Sequence, residues 1–233
     1  MSAIRNAVEL MKVGQLAPEK TAFARDVIDR QSALLAHLVD DLLDISRITR
    51  GKIELRKQKF DLAQAIHSAV ETNRSLIEAR RHTIHLSAPE NKFIFDGDFA
   101  RTVQIMANLV HNAAKYTAAG GSISIEVRDE SGTAVIRVRD TGIGLPAHRL
   151  ADIFQPFVQL ERGANGSQGG LGVGLTLVKT LVELHGGTVQ AISAGPGRGS
   201  EFVVNLPGIG VARNTTEVAP SRRRVVARTR GSA

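Results

Sequence analysis

The sequence contains no cysteine. That absence removes disulfides, thiolate nucleophiles and cysteine-based zinc sites together. Aromatic residues are scarce at 4%, too few to build the stacking platforms of a single-strand nucleic-acid binder. No apolar run approaches the ~20 residues that span a bilayer. The amphipathic opening "MSAIRNAVEL" is unlike the continuous apolar stretch of a signal peptide. A soluble, cytoplasmic polypeptide with no membrane segment is the expectation. The formal charge of +7 does not point to nucleic acid either. Most of the excess sits between Arg213 and Arg230, with Arg222, Arg223 and Arg224 in a row and only Glu217 opposing. Such a stretch reads as a solvated, disordered extension.

What remains is ample for folding: 233 residues, 42% of them hydrophobic, hold one large or two small cores. Residues 1–50 read as two helices separated by "GQLAP". In the first, Ile4, Val8 and Met11 recur near one face. In the second, from about Glu19 to Ile48, Val27, Leu34, Leu38, Leu42 and Ile45 recur at helical steps. A lone hairpin of this kind leaves its apolar faces uncovered, so half of a dimeric four-helix bundle is expected. Residues 51–59 form a linker, 60–210 a second domain, and 211–233 the basic tail.

The second domain alternates. Asp61 is placed to cap a helix running from Leu62 to about Arg80. "HTIHLSA" and "KFIFD" are strands, with Pro89 and Asn91 marking the turn between them. A long helix follows from Asp98 to Thr117. "SISIEVRD" and "TAVIRVRD" alternate at period two around a turn at Glu130–Gly132, which predicts a hairpin. Helical turns follow Pro146, a helix runs from Gly172 to His185, and "GTVQAIS" with "SEFVVNL" closes as a second hairpin. The predicted class is α+β: one mixed, mostly antiparallel sheet covered by helices on one face.

Three stretches carry chemistry. "NLVHNAAKYT" puts Asn108 and Asn112 four residues apart, on one helix face, with Lys115 and Tyr116 following. Ile105, Leu109 and Val110 already supply a core face, so the amides are not needed for packing. Asn112, joined by Asn108, offers carbonyl oxygens to Mg²⁺, a hard cation that shares phosphate oxygens. Lys115 would neutralise phosphate charge, and Tyr116 would lie against a purine. In "DTGIGLP" a strand stops at Asp140, and Gly142 and Gly144 leave room for a ligand. A carboxylate on the floor of that pocket accepts a hydrogen bond from an exocyclic amine such as adenine's. "GGLGVGLTLV", Gly169 to Val178, opens a helix with backbone amides that suit phosphates. It has neither the Gly-Lys-Ser/Thr ending of a P-loop nor the spacing of the dinucleotide fingerprint. The polar stretch "VQLERGANGSQ" before it reads as a lid, with Phe154 and Phe157 of "FQPF" anchoring its front edge in the core.

In this order the stretches resemble the ATP-binding domain of sensor histidine kinases. "NLVHNAAKYT" is similar to that family's N box, "DTGIGL" to its G1 box, "FQPF" to its F box, "GGLGVGL" to its G2 box and "GRGSEF" to its last glycine box. The resemblance covers about residues 60–207 and implies a Bergerat-type α/β sandwich holding ATP and Mg²⁺. Carried over residue by residue, it puts Asp140 on the adenine amine, with Gly142, Ile143 and Gly144 beside it. Asn112 falls on Mg²⁺. Gly170, Leu171, Gly172, Val173, Gly174 and Leu175 fall along the phosphates, and Ser200 on the adenine edge. "LVDDLLDISRITRGKIEL" resembles the end of the family's dimerisation and phosphotransfer domain, and "IRNAVELM" the stretch just after its phosphoacceptor box. A homodimer and a response-regulator receiver domain are the implied partners.

The departure from the family is the phosphoacceptor histidine, which by this alignment falls upstream of Met1. His37, His67, His82, His85, His111 and His185 stand in other contexts and are not expected to replace it. The chain is therefore expected to bind Mg-ATP without phosphorylating itself. Two further readings are a dimerising nucleotide-binding regulator and a slow ATPase of the gyrase, Hsp90 and MutL kind. The second is weakened because Asn108 stands where a water-activating carboxylate would be needed.

Overall fold

The computed structural model describes residues 2–12, 17, 19–29, 31–32, 35, 43, 54–88, 92–159 and 172–212. Helix α1 spans Ser2–Lys12, and α2 covers residues 19–29. Ala7 and Ala24 are buried, while Val8, Leu10, Met11 and Phe23 are exposed. Val27 is half-buried; the seam positions Leu34, Leu38, Leu42 and Ile45 lie outside the described residues, as do the tail from Arg213 onward and the turn at Pro89 and Asn91.

From Gln58 onward the chain runs β1 (Gln58–Asp61), α3 (Leu62–Thr72), α4 (Arg74–Ala79), β2 (Thr83–Ser87), β3 (Lys92–Gly97), α5 (Phe99–Tyr116), β4 (Ser122–Glu130), β5 (Thr133–Asp140), a 3₁₀ turn (Ala147–Arg149), α6 (Gly174–Leu184), β6 (Thr188–Ile192), β7 (Glu201–Pro207) and β8 (Ile209–Ala212). Five strands form one sheet in the order β2-β4-β5-β7-β6. Only β2 and β4 run parallel; the other neighbours are antiparallel. Both predicted hairpins form, β4–β5 and β6–β7. At the first, Ser131 and Gly132 both take positive φ, 56° and 84°, the geometry of a tight hairpin turn.

Period-two patterning aims one row of each strand at the helices. Ile123, Ile125 and Val127 on β4, Ala134, Ile136 and Val138 on β5, and Phe202, Val204 and Leu206 on β7 are all buried, and the register sets them side by side. Ile105, Met106 and Leu109 of α5 and Leu177, Val178 and Leu181 of α6 join the same core. Burying a side chain of this size contributes about 1.5–3 kcal/mol.

Two expectations need correction. The helix predicted from Leu62 to Arg80 is broken at Asn73. That amide donates to Ala69 O at 3.0 Å and to Ala107 O at 3.1 Å, so it serves α5 as well as its own helix end. The strands do not all join one sheet. β3 pairs with β1 and β8 in a separate three-stranded antiparallel sheet. There Phe60 meets Phe95 and Phe99 edge-on at 5.7 and 5.1 Å. β3 must run straight into α5, and this aromatic cluster covers the start of that helix.

Asp61 and Asp98 cap α3 and α5, accepting from Ala63 N and Arg101 N at 3.1 Å each. The Asp98 backbone N–H in turn donates to His185 Nε2 at 3.0 Å, and His185 Nδ1–H donates to Leu181 O at 2.7 Å. Both ring nitrogens are thus committed in the neutral form. Burial pushes the imidazole below its ordinary value of 6.5, outweighing the Leu181 carbonyl and Asp98, with Lys57 adding to the depression. The unfolded chain then binds a proton that the folded one refuses. Stability from this group is complete above pH 6.5 and declines as pH falls below it. Thermal unfolding followed by circular dichroism should therefore show a midpoint that drops on acidification from pH 7.5 to about 5.5, with a shallower drop in His185→Gln.

Candidate functional site

Asp140 belongs to the core-facing row of β5, in line with Ala134, Ile136 and Val138, and is 4% exposed. A carboxylate there needs partners. Its Oδ1 accepts from Gly142 N at 2.7 Å and Ser200 N at 3.3 Å, and its Oδ2 accepts from the Ser200 hydroxyl. The Asp140 N–H donates to Ser200 O at 2.9 Å, continuing the β5–β7 register past the strand ends. Among the described residues no cation pairs with it. Three donors leave lone-pair capacity on the carboxylate. Ser200, expected on a ligand's edge, is here the group that orients Asp140.

The following loop is placed by backbone contact. Ile143 N donates to Tyr116 O at 3.1 Å, and Gly199 N to Gly142 O at 3.1 Å. A Cβ on Gly144 (φ 67°) would lie 2.2 Å from Gly195 O, and one on Gly199 (φ 69°) 2.1 Å from Asp140 O. Only glycine permits that approach. Ile143 stays 52% exposed, an apolar side chain held open at the mouth of the site.

On α5, Asn108 is buried and donates to Gln104 O at 3.2 Å. Its Oδ1 would be 3.0 Å from a Cβ on Gly174, at the first turn of α6. The amide therefore faces the N-terminus of that helix. Asn112, one turn on, is half-buried, and its side-chain amide makes no hydrogen bond to a described residue. Lys115 Nζ lies 5.0 Å from the centroid of the Tyr116 ring. Asn112 thus carries an uncommitted amide between a carboxylate pocket and a helix N-terminus, as a nucleotide phosphate chain with its metal requires. Among the described residues no cluster of histidine, aspartate and glutamate is arranged to hold a metal without such a ligand.

Gly172 (φ 75°) accepts from Phe157 N at 3.0 Å, and its Cα packs where a Cβ would meet Val158 O at 2.7 Å. The two ends of the 160–171 stretch are thereby pinned together. Gly170 and Leu171 lie outside the described residues. Val173 is buried and Leu175 packs against the core. Phe154 meets Phe202 edge-on at 6.4 Å, as an anchor should. Phe157 does not anchor: it is 63% exposed with φ 65°, and only its backbone fastens the loop. Sequence reasoning missed Arg80 and His82. Arg80 Nη1 donates to Lys115 O at 2.8 Å, and His82 Nε2 bonds Ala114 O at 3.0 Å. Both act from a turn distant in sequence.

A family model described as "Histidine kinase-, DNA gyrase B-, and HSP90-like ATPase" matches residues 97–209. The chain is 36% identical over 199 residues to the circadian input-output histidine kinase CikA of Synechococcus elongatus, covering 83% of this chain and 26% of that protein. It superposes on full-length ShkA in complex with AMPPNP with a TM-score of 0.68 at 25% identity, over 90% of this chain and 43% of the other. Histidine kinase ThkA in complex with response regulator protein TrrA shares the fold, with a TM-score of 0.64 at 21% identity over 88% and 57% of the two chains. The domain is an ATP-binding domain of the histidine kinase type. Residues 97–209 therefore belong to the histidine kinase, gyrase B and HSP90-like ATPase family, and the histidine kinases that the chain matches over 79–83% of its own length are spanned only to 25–37% of theirs.

The close approach at Gly199 gives a direct check. Gly199→Ala should lower unfolding free energy by about 2 kcal/mol or more, because a left-handed residue gains a Cβ inside contact distance of a carbonyl. Urea denaturation measures it.

Proposed function

We propose that this chain is the ATP-binding catalytic part of a sensor histidine kinase, holding Mg-ATP between α5 and the first turn of α6. The observation that carries the reading is Asp140: a buried carboxylate, fixed by Ser200 and two backbone amides, that retains acceptor capacity in a glycine-framed pocket. In this role Asp140 accepts from the adenine amine, with Ile143 and Tyr116 against the ring. Gly172 and Gly174 free the amides at the start of α6 for phosphate, and Gly170 is assigned to the phosphates from the sequence alone. Lys115 offsets phosphate charge, and Asn112, seconded by Asn108, presents oxygen to the metal. A bound Mg²⁺ would supply charge neutralisation across the phosphates. ShkA's complex with AMPPNP supports a nucleotide in this fold.

The γ-phosphate acceptor is a histidine outside residues 54–212. Of the six histidines in that range, His82 and His185 are buried and bonded to helix carbonyls, His111 bonds Asn73, and His67, His85 and His148 are exposed, so γ-labelled ATP tests those three directly. His37 lies outside the described residues. Hydrolysis to water should be slow, since Asn108 is an amide turned to Gly174 and cannot take a proton. The exposed apolar residues of α1 and α2 support dimerisation through these helices. A receiver domain is the downstream partner by analogy with ThkA and TrrA. Among the described residues no helix is long and apolar enough to cross a membrane, and an ATP consumer belongs on the cytoplasmic side.

An acceptor-only carboxylate rewards an amine and repels a carbonyl oxygen at the same place on the base. Competition against a fluorescent ATP analogue should therefore show ATP displacing it well and GTP poorly. Asp140→Asn should weaken ATP by roughly tenfold to a hundredfold, the worth of a hydrogen bond to a charged group. Equal displacement by ATP and GTP would remove Asp140 from base recognition. Incubation with γ-labelled ATP should leave residues 54–212 without label; phosphohistidine there would contradict the acceptor assignment.

A further inference from the structure

The C-terminal turn of α5 carries Lys115 and Tyr116, and its carbonyls have no partners within the helix. Here each finds one. Ala113 O accepts from Thr117 N at 3.1 Å, Ala114 O from His82 Nε2 at 3.0 Å, Lys115 O from Arg80 Nη1 at 2.8 Å, and Tyr116 O from Ile143 N at 3.1 Å. Arg80 Nη1 also reaches Thr117 O at 3.5 Å. Arg80 is itself held, because its carbonyl accepts from Gly120 N at 2.9 Å. One guanidinium nitrogen therefore bridges the Lys115 and Thr117 carbonyls, which flank the Tyr116 carbonyl that anchors Ile143. A cation at a helix C-terminus complements the dipole as well as the geometry.

These contacts leave little slack. A Cβ on Gly142 would be 2.5 Å from Tyr116 O and 2.7 Å from Asp140 Oδ1. Moving the last turn of α5 moves the loop that shares the Asp140 pocket. Among the described residues Arg80 makes no hydrogen bond or ion pair with Asp140 or Asn112; its guanidinium reaches the backbone of Lys115 and Thr117.

We infer that Arg80 is a positioning residue of the nucleotide site, locking the last turn of α5 so that Lys115, Tyr116 and the Gly142–Gly144 loop keep the spacing nucleotide binding needs. This rests on the ATP-binding reading above. The neighbouring Arg81 provides a control of the same charge. It is exposed, with no side-chain hydrogen bond among the described residues.

The chain has a single tyrosine and no tryptophan, so 3-fluorotyrosine labelling yields one ¹⁹F resonance, at Tyr116. Arg80→Ala should shift that resonance in the nucleotide-free protein and raise the ATP dissociation constant on the order of tenfold, as loss of an orienting partner does. Arg81→Ala should do neither. Arg80→Lys, which keeps one cationic donor, should recover part of both effects and serves as the comparison if Arg80→Ala fails to fold. An unmoved resonance in both Arg80 variants, an unchanged dissociation constant, or equal effects from Arg81→Ala would overturn the assignment. If the wild-type protein binds no ATP, the ATP-binding reading falls, while the resonance still decides whether Arg80 locks the turn.

Discussion

Helix α5 is tied at both ends by groups from other parts of the chain, and the geometry of the site follows from that. At its start, Asp98 caps the helix, accepts from the Arg56 N–H of the linker at 2.9 Å, and donates its own N–H to His185 at the end of α6. At its finish, Arg80, His82 and Ile143 take the carbonyls of the last turn. A helix free to slide or fray would carry Asn108, Asn112, Lys115 and Tyr116 with it. Held at both ends, it presents them at fixed distances from the first turn of α6 and from the Asp140 loop.

The second constraint is close backbone approach. Asp140 is held by amides and a hydroxyl, with no countercharge among the described residues, so its remaining acceptor capacity faces the pocket. Bringing those amides near enough requires that Gly142, Gly144 and Gly199 carry no Cβ. The glycines serve the geometry of the carboxylate as much as they make room for a ligand. This accounts for an aspartate and glycines alternating at the end of a strand whose inward row is otherwise apolar.

Much of this was legible beforehand because it is local. The period-two rows of β4, β5 and β7 identify their inward faces, and Asp140 breaks the β5 row at the position where a polar group is least welcome. Asp61 and Asp98 announce helix starts by residue type. The four-residue step from Asn108 to Asn112 marks a polar stripe beside a complete apolar one. What escaped depends on partners distant in sequence. Asn73 looks like an ordinary mid-helix residue until Ala107 is found beside it. The pairing of β3 with β1 and β8 depends on a phenylalanine cluster that forms only after folding. Phe157 reads as a core residue by its hydrophobicity, yet it stands at a positive φ with its ring exposed. Arg80 reads as one of two adjacent surface arginines, and nothing local separates it from Arg81.

In the proposed function, α5 and the Asp140 loop enclose one magnesium-bound adenine nucleotide. Isothermal titration calorimetry of the folded chain with a non-hydrolysable ATP analogue, with and without Mg²⁺, tests it most directly. Saturable binding of one nucleotide per chain, weakened when the metal is chelated, is the expected result. Absence of any binding heat across several temperatures, on protein shown to be folded, would contradict it.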